Sequence, residues 1–206
     1  MKNLAARAAV VVTMFAAALM LARSSFAPVF AQTNDVRRTI PHHPTEATVG
    51  QGELLNIIRQ STARFKDVSV AQQEGYIPQF GCVSGSDAGA MGIHYVKGEF
   101  IQNPPLTPTG EIDPTRPQIV IYEPVPGGGR RLIGVDYVIV AASWDKDHPN
   151  NPPQLKGQLY HYFESPNRFG LPAFYTLHVW AWKENPNGPF VNWHPEVDCQ
   201  AYSVLD

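Results

Sequence analysis

Residues 171–193, LPAFYTLHVWAWKENPNGPFVNW, constrain the fold more than any other stretch of the chain. Residues 173–183 are aromatic and β-branched with no glycine or proline, the composition of a strand. The Asn185-Pro186-Asn187-Gly188-Pro189 run that follows is turn chemistry and ends it. With alternating side chains, Phe174, Thr176, His178, Trp180 and Trp182 share one face, and Tyr175, Leu177, Val179 and Ala181 the other. Both faces are apolar, which predicts a central strand covered on both sides. His178 is the exception on its face. An imidazole among such neighbours must find a partner or stay neutral.

Further strands are predicted over 93–96, over 118–123 (QIVIYE), over 131–142 (RLIGVDYVIVAA) and over 157–163. The Pro-Val-Pro-Gly-Gly-Gly connection at 124–129 makes the second and third of these an antiparallel hairpin. Gly81, Gly85, Gly89 and Gly92 predict that 79–92 is loop. It is no phosphate loop, because no Gly-Lys-Ser/Thr follows. Prolines at 104, 105, 108, 114 and 117 mark a long connection, and 144–153 a second proline-rich loop. On the N-terminal side, Leu54, Ile57, Ile58, Ser61, Phe65 and Val68 recur at helical spacing after a capping box opened by Thr48. A second short helix is expected from Asp67 as N-cap to Gly75. Loops rather than helices join the strands, which excludes a doubly wound sheet. The predicted fold is α+β: an antiparallel β-sheet or small β-barrel of about five to seven strands, with N-terminal helices packed on it.

Residues 1–31 read as a secretory signal peptide. Lys2 and Arg7 precede the apolar run 8–22, and Val29-Phe30-Ala31 supplies the small residues of a cleavage site. That run is short for a span of ~20 residues, so no stable membrane anchor is expected after processing. Residues 32–47 are predicted to be a flexible arm whose His42-His43 pair is solvated. Residues 48–206 then form a single globular domain. The formal net charge of −2, with no Lys/Arg run, argues against a nucleic-acid partner. The two cysteines, Cys82 and Cys199, lie in no Cys-x-x-Cys motif. They are expected to form a disulfide in an oxidising compartment, periplasmic or extracellular.

Several segments occur in an ordered series: Asp67-Val-Ser-Val-Ala71 to Gly75-Tyr76, Gly89-Ala-Met-Gly-Ile-His-Tyr95, Ile121-Tyr-Glu-Pro124, Leu132-Ile-Gly-Val-Asp-Tyr137, and Leu177-His-Val-Trp180 with Asn185-Pro-Asn-Gly-Pro-Phe190. This series resembles an uncharacterised family of secreted bacterial proteins, over residues 67–199. The resemblance implies export and draws attention to the His-Tyr and Leu-His-Val-Trp segments. It implies no activity.

Four ionisable residues interrupt apolar strand patterns: His94, Glu123, Asp136 and His178. Burying four unpaired charges is not credible, so they are expected to meet. His94, His178 and Glu123 are the candidate metal ligands, suited to zinc, iron or manganese. Asp136 is placed fourth, to orient an imidazole or replace Glu123, because Gly134 beside it can mark a bulge that changes strand parity. Three readings stay open at this stage. One is a metal-binding module or metal-dependent enzyme. Another is an apolar pocket with a polar floor that binds a small molecule. The third is two structural pairs, His94 with Glu123 and His178 with Asp136. His161 and His194 lie near turn-rich sequence and are expected to be partly exposed. Neither Gly-x-Ser-x-Gly nor His-Glu-x-x-His occurs. A glycosidase would need Glu123 and Asp136 at a defined separation, which sequence does not fix.

Overall fold

The computed structural model describes residues 46–202. The predicted signal peptide and nearly all of the predicted arm, including His42 and His43, lie outside the described residues. Helix α1 spans Glu46–Thr62, two residues earlier than its predicted start at Thr48. A 3-10 turn, Ala63–Lys66, leads to α2, Val68–Gln73. Asp67 caps α2 as expected, its carboxylate accepting from the Ser69 backbone N–H at 2.9 Å. The strands are β1 (Ile77–Ser84), β2 (Ala90–Val96), β3 (Ile119–Val125) and β4 (Gly129–Val140), with the short helix α3 (Gly98–Gln102) after β2. Helix α4 (Ala141–Asp147) follows, then β5 (Gln154–Leu155), β6 (Gln158–Leu159), β7 (His161–Phe163) and β8 (Phe174–Val179).

Six strands form one curled antiparallel sheet in the order β1-β2-β3-β4-β8-β7, and β5 and β6 make a separate two-stranded hairpin. The α+β fold is as expected. The 171–193 stretch is covered on both faces, yet β8 is next to the edge of the sheet rather than at its centre. Two segments expected to be loop are regular. Residues 77–84 form β1, an edge strand whose pairing with β2 breaks between Gln79 and Cys82. There Phe80 and Gly81 both adopt left-handed backbone, each with φ 64°. Of the glycines that suggested a loop, Gly81 marks a bulge in a strand, while Gly85 and Gly89 flank the turn between β1 and β2. Helix α4 occupies the start of the predicted loop 144–153, because the prolines that would oppose a helix come only after it.

One face of the sheet packs on the N-terminal helices. Leu54 and Ile58 of α1 meet Val135, Tyr137, Leu177 and Val179. Phe65 and Ala71 meet Ile93, Tyr95, Val120 and Tyr122 in the neighbouring cluster. The buried stripe runs through Thr62 rather than Ser61, since Thr62 is fully buried and accepts from Trp182 Nε1 at 3.0 Å. Arg59 Nε donates to the Ala181 carbonyl at 2.6 Å and pins α1 over the end of β8. Full burial of each such apolar side chain is worth about 1.5–3 kcal/mol.

The opposite face carries Ile119, Ile121, Ile133, Val138, Phe174 and Trp180. A bulge in β4 sets which residues point there. Ile121 pairs with Gly134 but Tyr122 with Leu132, leaving Ile133 as the extra residue. Leu132 and Val135 thus both face the helices although three residues apart. Gly134 is needed at this point, because a Cβ there would stand 2.5 Å from the Val179 carbonyl oxygen. The predicted face of β8 holds through Trp180. Trp182 departs from it, since the chain has left the strand and its indole packs on the helix side.

Cys82 and Cys199 are joined, with 5.7 Å between their Cα atoms and 117 residues of separation. The bridge ties β1 to the C-terminal segment. Among the described residues no helix is long and apolar enough to cross a membrane.

Candidate metal centre

Three strands of the sheet supply one group each. His94 comes from β2, Asp136 from β4 and His178 from β8. Register brings them together: His94 and Gly134 both lie opposite Ile121 of β3, while Asp136 lies opposite His178. All three side chains project from the face away from the helices. Their relative exposures are 4%, 6% and 1%. One ligand-type atom from each lies within 4.8 Å of the others.

The hydrogen bonding of this group is incomplete. Asp136 Oδ1 accepts from the Thr176 hydroxyl at 2.5 Å. Its Oδ2 stands 3.9 Å from His178 Nδ1, beyond hydrogen-bond range. Nδ1 of His94 and both ring nitrogens of His178 are buried without a hydrogen-bond partner. Buried polar atoms are normally paired, and leaving one unpaired costs about 1–3 kcal/mol. One nitrogen from each ring, beside the carboxylate, could meet an atom from outside the chain.

The electrostatics follow from burial. Desolvation pushes His94 down to about 4, against a smaller upward pull from the Gly92 backbone. Burial holds His178 well below the usual imidazole range, and the neighbouring His94 adds to it. Asp136 moves the other way, raised by burial to about 7 against the hydrogen bonds from Thr176 and the Tyr137 backbone. Both imidazoles are therefore neutral, the ligating form, and the carboxylate lacks a cation.

Glu123, ranked above Asp136 on sequence, is not brought into this group. It shares strand parity with Ile121 and Ile119, but it lies towards the β3–β4 turn, opposite Arg131. Its carboxylate accepts from Arg131 Nη1 at 2.9 Å and from Lys183 Nζ at 3.0 Å. The pairing of His94 with Glu123 is accordingly absent from the described hydrogen bonds. The bulge at Ile133 falls before Asp136 and leaves it on the same face as His178.

His161 is exposed on β7, as expected. His194, expected to be partly exposed, is fully buried. Its Nδ1 accepts from the Glu196 backbone N–H at 3.1 Å, so the proton is on Nε2, which donates to the Glu184 carbonyl at 2.8 Å. Both nitrogens are used, and His194 is a structural residue. No side-chain pattern announces this, because its partners are backbone groups. The Trp180 ring lies between the two histidines, with centroids 4.3 Å from His178 and 4.8 Å from His194.

Above the group is a cavity of about 330 Å³. His94, Asp136 and Thr176 belong to its lining, and Ile119, Val138, Phe174, Phe163, Leu171 and Ile101 supply much of its apolar wall. Phe80 of the β1 bulge and Phe169 of the β7–β8 connection meet edge to face at 5.4 Å beside it. The expected apolar pocket with a polar floor and the expected histidine–carboxylate group are thus one place. No protein-family model matches the chain, and no curated protein or solved structure matches it either.

Proposed function

We propose that this chain is an exported protein that binds a divalent transition metal through His94, Asp136 and His178 and offers it to a small molecule in the adjoining cavity. The observation that carries the reading is that His94, Asp136 and His178 each bring one ligand-type atom within 4.8 Å of the others, with unpartnered buried nitrogens on both rings. Neutral imidazoles and a carboxylate suit zinc, iron(II) or manganese. A bound cation would supply the partner that burial denies Asp136 and hold it ionised. For tetrahedral ligation the donor atoms would draw in to roughly 3.3 Å of one another, which asks for side-chain adjustments of about an ångström. Export is supported by the sequence of residues 1–31, by the Cys82–Cys199 bridge and by the resemblance to secreted bacterial proteins.

The second reading is a metal-dependent enzyme built on the same three residues. What favours it is the ligand count. Three protein ligands leave a coordination position, and two of those ligands line the cavity.

Elemental analysis of protein purified from its exported compartment tests the proposal. Near-stoichiometric zinc, iron or manganese is expected, and His178→Ala should lose it while remaining secreted. Metal-free protein that also fails to take up any of the three on titration would overturn the reading.

A further inference from the structure

The cavity over the three-residue group constrains what can enter it. Most of its lining is apolar, and neither Arg nor Lys is among the lining residues. The polar side chains at its floor are already described: His94, Asp136 and Thr176, with the Thr176 hydroxyl committed to Asp136. Gln79 and Gln102 are the other polar side chains of the lining. An anionic ligand would therefore find no cationic side chain there, and a ligand with many polar groups would leave them unpaired. The metal would be the one strong partner available.

Charge neutrality selects the head group. A divalent cation with the Asp136 carboxylate and two neutral imidazoles leaves one positive charge in a buried site. A monoanionic oxygen donor cancels it. A neutral donor leaves it uncompensated, a dianion such as a phosphate monoester overshoots by one, and a cationic head is repelled. Volume selects the body. An apolar cavity of ~150 Å³ holds a benzene molecule. One of about 330 Å³ has room for roughly twice that, an apolar body of about ten carbon atoms. Edge-to-face Phe80 and Phe169 beside the cavity suit an alkyl chain or a flat aromatic body. Phe80 holds a left-handed backbone conformation that a bulky residue adopts only at a cost, while 46% exposed, so burial of its ring does not account for it.

We infer that the ligand of this cavity is an amphiphilic monocarboxylate, with its carboxylate on the metal and an apolar alkyl or aromatic body of medium length against Val138, Phe163, Phe174 and Leu171. This rests on the metal reading above and adds the chemical class of the ligand to it.

The test uses the full mature protein with its disulfide intact, loaded with cobalt(II) as a visible reporter. Cobalt content is measured first. Decanoate and 2-naphthoate are then titrated, with decan-1-ol, decylammonium and decyl phosphate as the other heads. The carboxylates should change the cobalt visible spectrum saturably and bind at least tenfold tighter to loaded than to metal-free protein. The alcohol, ammonium and phosphate should each bind at least tenfold more weakly than decanoate. Leu171→Trp, which fills the cavity from a loop, should keep its cobalt and lose at least tenfold in decanoate affinity. If that variant loses cobalt, Val140→Phe is scored by the same criterion. Stoichiometric cobalt with an unchanged spectrum at saturating carboxylate, or decan-1-ol binding as tightly as decanoate, overturns this inference alone. Failure to take up cobalt or any of the three expected metals overturns it together with the metal reading.

Discussion

Asp136 and His178 are register partners on adjacent antiparallel strands, and Asp136 Oδ2 stands 3.9 Å from His178 Nδ1. That gap is too long for a hydrogen bond. Two metal–ligand bonds of about 2.1 Å span it. The two residues, with His94 reaching the same place from the other side of β3, make a group that could hold a metal ion.

The two carboxylates should separate cleanly under mutation. Asp136→Asn keeps shape but removes charge, and should lower bound metal to less than a tenth of wild type. Glu123→Gln should keep full metal content and cost about 1 kcal/mol, the scale of a partly exposed ion pair. Elemental analysis and urea unfolding of both variants check this. Loss of metal in Glu123→Gln with retention in Asp136→Asn would reverse the ligand assignment.

The disulfide closes a long loop, its cysteines 117 positions apart in sequence. Chain entropy sets its stabilisation at no more than ~4–5 kcal/mol. The Cys82→Ser, Cys199→Ser double variant should show a lower urea midpoint by a corresponding margin. It should also expose β1 to proteolysis, since this edge strand would lose its tie to the C-terminal segment. An unchanged midpoint and cleavage pattern would count against the bridge as a structural element.

Gly134→Ala places a methyl group 2.5 Å from the Val179 carbonyl, so β4 and β8 must move apart. Overpacking of this kind costs about 1–3 kcal/mol. Because Asp136 and His178 sit across that strand pair, metal affinity should fall with stability. Thermal unfolding with and without metal measures both. A variant as stable as wild type would show that the strands can yield there.

Alkaline pH should destabilise the protein through its buried phenols: burial holds Tyr137 and Tyr160 well above the ordinary value, and Tyr76 and Tyr122 act with them. Tyr76 donates its hydroxyl to the Pro117 carbonyl at 2.8 Å and Tyr122 to the Phe65 carbonyl at 2.7 Å. Burial raises both above the ordinary value, with nearby Glu74 adding to it for Tyr76 and Tyr95 for Tyr122. An acid raised in the folded state contributes stability fully below its unfolded pKa, near 10, and loses it as pH rises further. The loss reaches up to about 1.4 kcal/mol per pH unit for each tyrosine. Urea midpoints at pH 8, 10 and 11 should fall mostly across the last interval. Tyr76→Phe with Tyr122→Phe should lessen that fall, leaving the share of Tyr137 and Tyr160, despite a lower midpoint at pH 8.

Much of the fold was legible because it rests on local pattern. β-Branched and aromatic runs in 131–140 and 174–179 and the glycine turn at 127–129 report strands and a hairpin directly. A single ionisable residue in each apolar run marked His94, Asp136 and His178. The order of Glu123 and Asp136 was not legible. It depends on where the β4 bulge falls and on Arg131 and Lys183 reaching Glu123 from other parts of the chain. β1 was hidden because Phe80 and Gly81 break its alternation, and its pairing with β2 is a tertiary fact. The burial of His194 left no trace either, since backbone groups from 184 and 196 satisfy it.

Trp180 has a use that its packing alone does not suggest. Its indole is 2% exposed, donates to the Val191 carbonyl at 2.6 Å, and lies against the His178 ring. The fluorophore is thus rigid, dry and in van der Waals touch with the most deeply buried of the three candidate ligands. Ions with partly filled d shells quench emission on contact, whereas zinc, with its full shell, alters only the surroundings of the ring. Were an ion held one side chain away, the depth of quenching would distinguish its kind.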